Sequence, residues 1–244
     1  MITDKWKCDI PEIEGKEYME PLTEFVLQQF IKIFGINNIN NEPCIIFNNS
    51  NDQNPRLFIN TTPLRIQTCM DSYQYWSQFI FQLSHEIMHY VIRQHKNNKK
   101  TEVKWLEETI CEAMSAYILN NSANIWKKCS LSNINPFYYK DLKKYTNEYY
   151  KKQQPSKLKH ITTMKELLIF NQESDKDEET RILRSAERNI IYNDFLKNPK
   201  HIPMSVTYNN YVKDNLLINL DDWKSNEPKN TFIPIVESIY PQIQ

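Results

Sequence analysis

The sequence predicts an α+β fold: a small β-sheet with one long apolar helix packed on it, followed by a mainly helical C-terminal half. Two observations predict it. Short β-like runs at 44–47, 56–59 and 64–70 are separated by turns rich in Asn, Pro and Thr. Apolar residues then recur at helical rather than strand spacing, so the chain order reads helix, small sheet, then helices.

The first helix is expected over 21–34, where Leu22, Phe25, Val26, Phe30 and Phe34 share one face and Gly35 follows as a stop. After the β-runs, Asp71 or Ser72 offers an N-cap. From there a long helix runs to about His95, carrying Trp76, Phe79, Ile80, Leu83, Ile87, Tyr90 and Val91 before the polar break KNNKK. A second helix is expected over 103–119. Further helices are expected at about 137–152, 162–171, 176–197 and 232–239, with Ser174 and Asp177 as a start signal for the third of these. Pro155 and the acidic stretch 173–179 read as loop or linker. No internal repeat is visible. The expected division is 1–122, carrying the long helix, and 123–244, a helical region forming the other wall of a cleft.

The chain has 244 residues, 40% hydrophobic and 25% charged, which is enough to bury a core. Thirty basic residues balance thirty acidic ones. Nothing in that balance points to nucleic acid or an anionic membrane as partner. The basic runs at 96–100 and 151–159 read as solvated loops. No stretch reaches the roughly 18 apolar residues of a spanning helix, and the N-terminus has no apolar signal region. The five cysteines are widely spaced without a CxxC, so they read as reduced thiols of a cytoplasmic protein. With only two glycines, neither a P-loop nor a dinucleotide fingerprint can be built, because both need glycine where backbone approaches phosphate.

One motif carries chemistry: His85-Glu86-Ile87-Met88-His89, an HExxH inside the long helix pattern. Residues four apart on a helix lie about 5–6 Å apart at Cβ, so His85 and His89 can reach one metal ion. Glu86 sits beside them, placed to take a proton from water as it attacks a carbonyl. A catalytic zinc site takes a third protein ligand and leaves a position for water. The next helix offers Glu108 and Glu112, which are i and i+4 on one face, with Glu107 rotated off it. A buried glutamate pair without a cation is costly. A zinc ion held by Glu108, with Glu112 bracing a ligand histidine from behind, removes that cost. His95 is the other candidate, at the metzincin spacing HExxHxxGxxH. Ile92, however, stands where glycine must let the chain leave the helix, and a β-branched residue at positive φ is strained.

These residues resemble a gluzincin, the zinc metallopeptidase clan of thermolysin and the aminopeptidase-N-like enzymes. The likeness rests on His85-Glu86-x-x-His89, then eighteen residues, then Glu108 in Trp105-Leu106-Glu107-Glu108. It covers roughly 56–120. It implies a zincin-like fold, one Zn²⁺ on His85, His89 and Glu108, and Glu86 as general base. It also implies Glu112 as the bracing acid. A second register exists: Cys111-Glu112-Ala113-Met114-Ser115 is similar to a thermolysin segment and to the ImmA/IrrE-type peptidases, and it makes Glu112 the ligand. Glu108 is preferred, because its spacing fits and it leaves Glu112 a role.

The expected function is therefore zinc-dependent hydrolysis of peptide bonds in a peptide or protein substrate, in the manner of an endopeptidase. The Gly-rich aminopeptidase signature is absent. The alternative is a regulatory or binding protein on the same scaffold with a structural or sensing metal. By the same likeness, the strand near 64–69 is expected as an edge that receives extended substrate. An oxyanion donor is expected among Tyr138, Tyr139, Tyr145, Tyr149, His160, Tyr192 and His201.

Overall fold

The computed structural model describes residues 5–10, 16–96, 103–173, 181–213, 216–241 and 243. It is a mixed α+β structure with the elements β1 (Trp6–Cys8), α1 (Lys16–Phe34), α2 (Ile36–Ile39), β2 (Cys44–Asn48), β3 (Arg56–Phe58), β4 (Leu64–Thr68), α3 (Trp76–Gln94), α4 (Lys104–Asn124), α5 (Tyr139–Lys151), α6 (Met164–Glu173), α7 (Ser185–Lys197), α8 (His201–Ser205), β5 (Val212–Lys213), β6 (Leu217–Ile218), α9 (Leu220–Asn226) and α10 (Ile233–Ile239). Ser174, Asp177 and the rest of the acidic stretch after Glu173 lie outside the described residues, as do residues 97–100 of the KNNKK break. By internal contacts the chain forms two compact units, Met1–Val91 with Ser115–Tyr149, and Ile92–Met114 with Tyr150–Gln244. The 122/123 position falls within α4.

The first unit is built around a four-stranded sheet in the order β1-β2-β4-β3. β2 pairs in parallel with β1 and β4, and β3 pairs antiparallel with β4. The strand expected as an open edge is thus an interior strand. Leu64–Thr68 bonds β2 along its whole length, and Arg56–Phe58 takes its other side from Arg65 to Gln67. The alternation Leu64, Ile66, Thr68 on one face is buried, which suits a strand flanked on both sides. β1 is too short to show a period; it pairs with β2 from Trp6 to Cys8, and the Trp6 indole N–H donates to the Ile39 carbonyl of α2 at 3.0 Å.

Helix α1 buries Leu22, Val26 and Phe30 as its spacing demands, and it ends where Gly35 takes φ +84°. Gln29 joins α1 to α4. Its amide donates to Ser122 Oγ at 2.9 Å and accepts from Asn121 at 2.7 Å. Helix α3 is buried nearly all round, the pattern of a helix inside a core. Its N-terminus is not capped by Asp71 or Ser72. The Ser77 N–H instead donates to the Tyr138 hydroxyl at 3.0 Å, and Ser72 serves the turn before the helix by accepting from Gln74 N–H. Trp76 is held among Tyr18, Trp126 and Tyr138.

The end of β4 is tied to α3 by two glutamines, Gln82 and Gln78, and Gln78 Nε2 donates to the Cys69 carbonyl at 3.1 Å. Gln82 accepts the Cys69 N–H at 2.8 Å and donates to the Cys69 carbonyl at 3.0 Å. This satisfies both backbone groups where the ladder stops. Gln82→Leu keeps the volume and orphans the Cys69 N–H, so it is expected to destabilise the protein by about 1–3 kcal/mol. Urea unfolding followed by circular dichroism measures this as a lower midpoint at unchanged slope.

Among the described residues, the regular structure of the second unit is helical except for the β5–β6 pair. Trp105 N–H, at the start of α4, donates to Asn171 Oδ1 of α6 at 3.0 Å. Buried Phe195, Ile202, Tyr208, Trp223, Phe232 and Val236 supply its core. Among the described residues no helix is long and apolar enough to cross a membrane.

Candidate metal centre

His85, Glu86 and His89 lie on α3, well inside its bounds, so their relative placement is fixed by helix geometry. His85 is 6% exposed and Glu86 3%. The rings of His85 and His89 stand edge to face at 4.8 Å, and their Nε2 atoms approach to 3.1 Å. Two nitrogens bound to a tetrahedral zinc at about 2.0–2.1 Å lie roughly 3.3 Å apart. The pair is therefore already spaced as two ligands of one ion. Glu86 lies close enough to Cys69 for its charge to help hold that thiol above its ordinary pKa, after burial, which is the larger cause.

Helix α4 supplies the third group. Among the described residues, the ligand atoms of His85, His89 and Glu108 all lie within 4.8 Å of one another. Two imidazole nitrogens and one carboxylate oxygen form a donor set that suits zinc, and they leave a fourth position for water. His95 and Glu112 are outside this cluster. Helix α3 continues through Ile92 to Gln94 and closes with the His95 N–H on the Ile92 carbonyl at 3.1 Å. Ile92 is thus helical, and the sharp exit that a metzincin histidine needs does not form.

The neighbouring glutamates are equally buried but have other company. Glu107 accepts the Tyr208 hydroxyl at 3.1 Å and pairs with Lys96 at 3.0 Å. Burial, then the Glu107 charge, pushes the Tyr208 hydroxyl well above its usual pKa. Lys96 was expected in a solvated break. Its side chain is instead only 7% exposed, because a buried carboxylate draws it in. The basic run near 151–159 is exposed, as expected. Glu112 receives Arg184 Nη2 at 2.6 Å, and Arg188 Nη1 lies 4.0 Å from its other oxygen. Both arginines come from the segment around the start of α7. The sequence contained no local sign of this pairing, since 72 positions separate Glu112 from Arg184.

The residues offered as oxyanion donors fall in different settings. Tyr138 is committed to the start of α3. Tyr145 and Tyr149 pack on Phe81. Tyr192 is buried against Tyr150, and burial raises its hydroxyl to about 12. His160 lines an open cavity of about 430 Å³ with Tyr150, Ser156 and Lys159. His201 is bound at both ring nitrogens. Tyr139 begins α5 beneath Lys143.

Among known proteins, no family model matches this chain, and no curated protein or solved structure matches it.

Removing one member of a buried ion pair strands the other's charge. Arg184→Met is expected to destabilise the protein by about 3–5 kcal/mol. A double variant that also carries Glu112→Gln should recover part of that loss. Chemical denaturation of the three proteins measures both effects.

Proposed function

We propose that the chain is a zinc-dependent peptidase of the HExxH kind, with His85, His89 and Glu108 as metal ligands and Glu86 as general base. One observation carries this reading: the ligand atoms of those three residues converge within 4.8 Å, two of them on α3, which also bears Glu86, and the third on α4. The likeness to the gluzincins and a zincin-like description of α3 on its sheet belong to the same proposal. So does a reducing, cytoplasmic setting, which five free cysteines, four of them buried, favour.

Zinc at such a centre supplies Lewis acidity and makes water a nucleophile near neutral pH. The chain's own groups do the rest. His85 and His89 are held by the helix with their Nε2 atoms 3.1 Å apart, so little reorganisation is needed to bind. Glu86, almost wholly buried on the same helix, would take the proton of the attacking water and return it to the leaving amine. Its low-dielectric surroundings strengthen that exchange. The substrate class is a peptide or protein.

Metal analysis and cleavage of a degenerate peptide library test the reading together. The wild type is expected to hold about one zinc per chain. Glu108→Ala should lose most of it. Glu86→Gln should keep the zinc and cleave about 10²–10⁴-fold more slowly. A wild type that binds no zinc after loading, or a Glu86→Gln protein that cleaves at the wild-type rate, overturns the proposal. Zinc retained with no hydrolysis by wild type assigns the metal a structural or sensing role instead.

A further inference from the structure

A second arrangement lies in the helical unit and shares no residue with the cluster on α3 and α4. Asp194 is on α7, His201 opens α8, and Thr231 precedes α10. His201 Nδ1 lies 2.8 Å from Asp194 Oδ2, and His201 Nε2 lies 2.7 Å from Thr231 Oγ1. Asp194 and His201 are 7% and 6% exposed, whereas Thr231 is exposed.

The hydrogen-bond polarity follows from the partners. A carboxylate only accepts, so Nδ1 carries the ring hydrogen and donates it to Asp194. In the neutral ring Nε2 keeps a lone pair, which accepts the Thr231 hydroxyl; Met204 Sδ, at 3.8 Å, is that hydroxyl's other acceptor. Asp194 is itself fixed, because its Oδ1 accepts from Asn198 Nδ2 at 3.0 Å. A threonine before a helix ordinarily turns its hydroxyl to the helix's own first N–H groups. Here Asn230 Oδ1 takes the Phe232 N–H at 3.0 Å, which leaves the threonine hydroxyl to the imidazole. Asn230 is in turn held through its Nδ2 by Met204 O and Glu227 Oε2. Hydroxyl, base and orienting carboxylate thus stand at hydrogen-bond reach in the order that nucleophilic catalysis requires.

We propose that Thr231, His201 and Asp194 form an acyl-accepting centre, with Thr231 as nucleophile, His201 as general base and Asp194 as positioning residue. The substrate class is an activated ester or thioester with a small acyl group, which would lie beside the Met204 thioether, 3.8 Å from Thr231 Oγ1. Thr231 Oγ1 bonds to the acyl carbon while its proton passes to His201 Nε2. The bond from that carbon to the leaving oxygen or sulfur breaks, and the leaving group takes the proton from His201. Water, deprotonated by His201, then cleaves the threonine ester and restores the hydroxyl.

The probe is p-nitrophenyl acetate, used on the full-length protein after zinc removal and on a Glu86→Gln background, so that hydrolysis at the other cluster cannot supply the signal. Intact mass and peptide mapping of samples acid-quenched within the first turnover, before water clears the threonine ester, read the site of acetylation. The wild-type sequence at these three positions should carry one acetyl group on Thr231. Thr231→Val should abolish it, and Thr231→Ser should restore it. His201→Gln should slow acetylation at least about 100-fold. Asp194→Asn, which reverses the ring tautomer, should slow it by a similar or larger factor. Thermal unfolding shows whether each variant is folded. Absence of acetyl on Thr231 in the unsubstituted triad, or acetylation confined to lysines, overturns the proposal. So does an unchanged rate in a folded His201→Gln protein. Thr231 is exposed, so the Thr231 variants remain decisive even where a His201 variant fails to fold.

Discussion

Burying charge in the middle of helices is the constraint that organises this protein. Helix α3 places His85 and Glu86 where an apolar core would otherwise continue, and α4 adds Glu107, Glu108 and Glu112, each under 10% exposed. Three carboxylates so close on one helix repel one another, and each loses its hydration. The fold deals with them separately. Lys96 and Tyr208 take Glu107, and Arg184 with Arg188 takes Glu112. Glu108 turns to the imidazoles of α3. The packing of the second unit around Tyr208 and the start of α7 follows from these demands as much as from apolar burial.

Compensation of this kind is specific where hydrophobic packing is not. An aliphatic side chain accepts many neighbours, whereas a buried carboxylate accepts few and fixes their position. Arg184 is 1% exposed and uses Nη2 on Glu112, while its Nε and Nη1 make no hydrogen bond among the described residues. Such a residue stabilises little in absolute terms, since its desolvation offsets its attraction. Its effect is to hold one register of α7 against α4.

The long periodic segments were legible in the sequence. The apolar faces of α1 and α3, the Gly35 stop and the three runs that became β2, β3 and β4 were all readable, because period and punctuation are local. β1 was not, since three residues carry no period. α8, α9 and the β5–β6 pair are short for the same reason. Strand order was also hidden. That β4 is interior depends on β3, a three-residue strand whose pairing reverses direction. In the cluster, His85 and His89 were legible from one motif, and Glu108 from helix phase. Glu112's arginines were not, because pairing across 72 positions leaves no local trace. Nor was the cap of α3 by Tyr138, a tertiary contact that made a local capping residue unnecessary.

The histidines of the two arrangements differ in what they can do, and the difference lies in the second nitrogen. His85 and His89 aim the same atom at each other, 3.1 Å apart. His201 has neither nitrogen to spare. Its Nδ1 is fixed by a carboxylate and its Nε2 by a hydroxyl. A proton leaving that hydroxyl has one basic acceptor in line, and Asp194 stabilises the imidazolium that results.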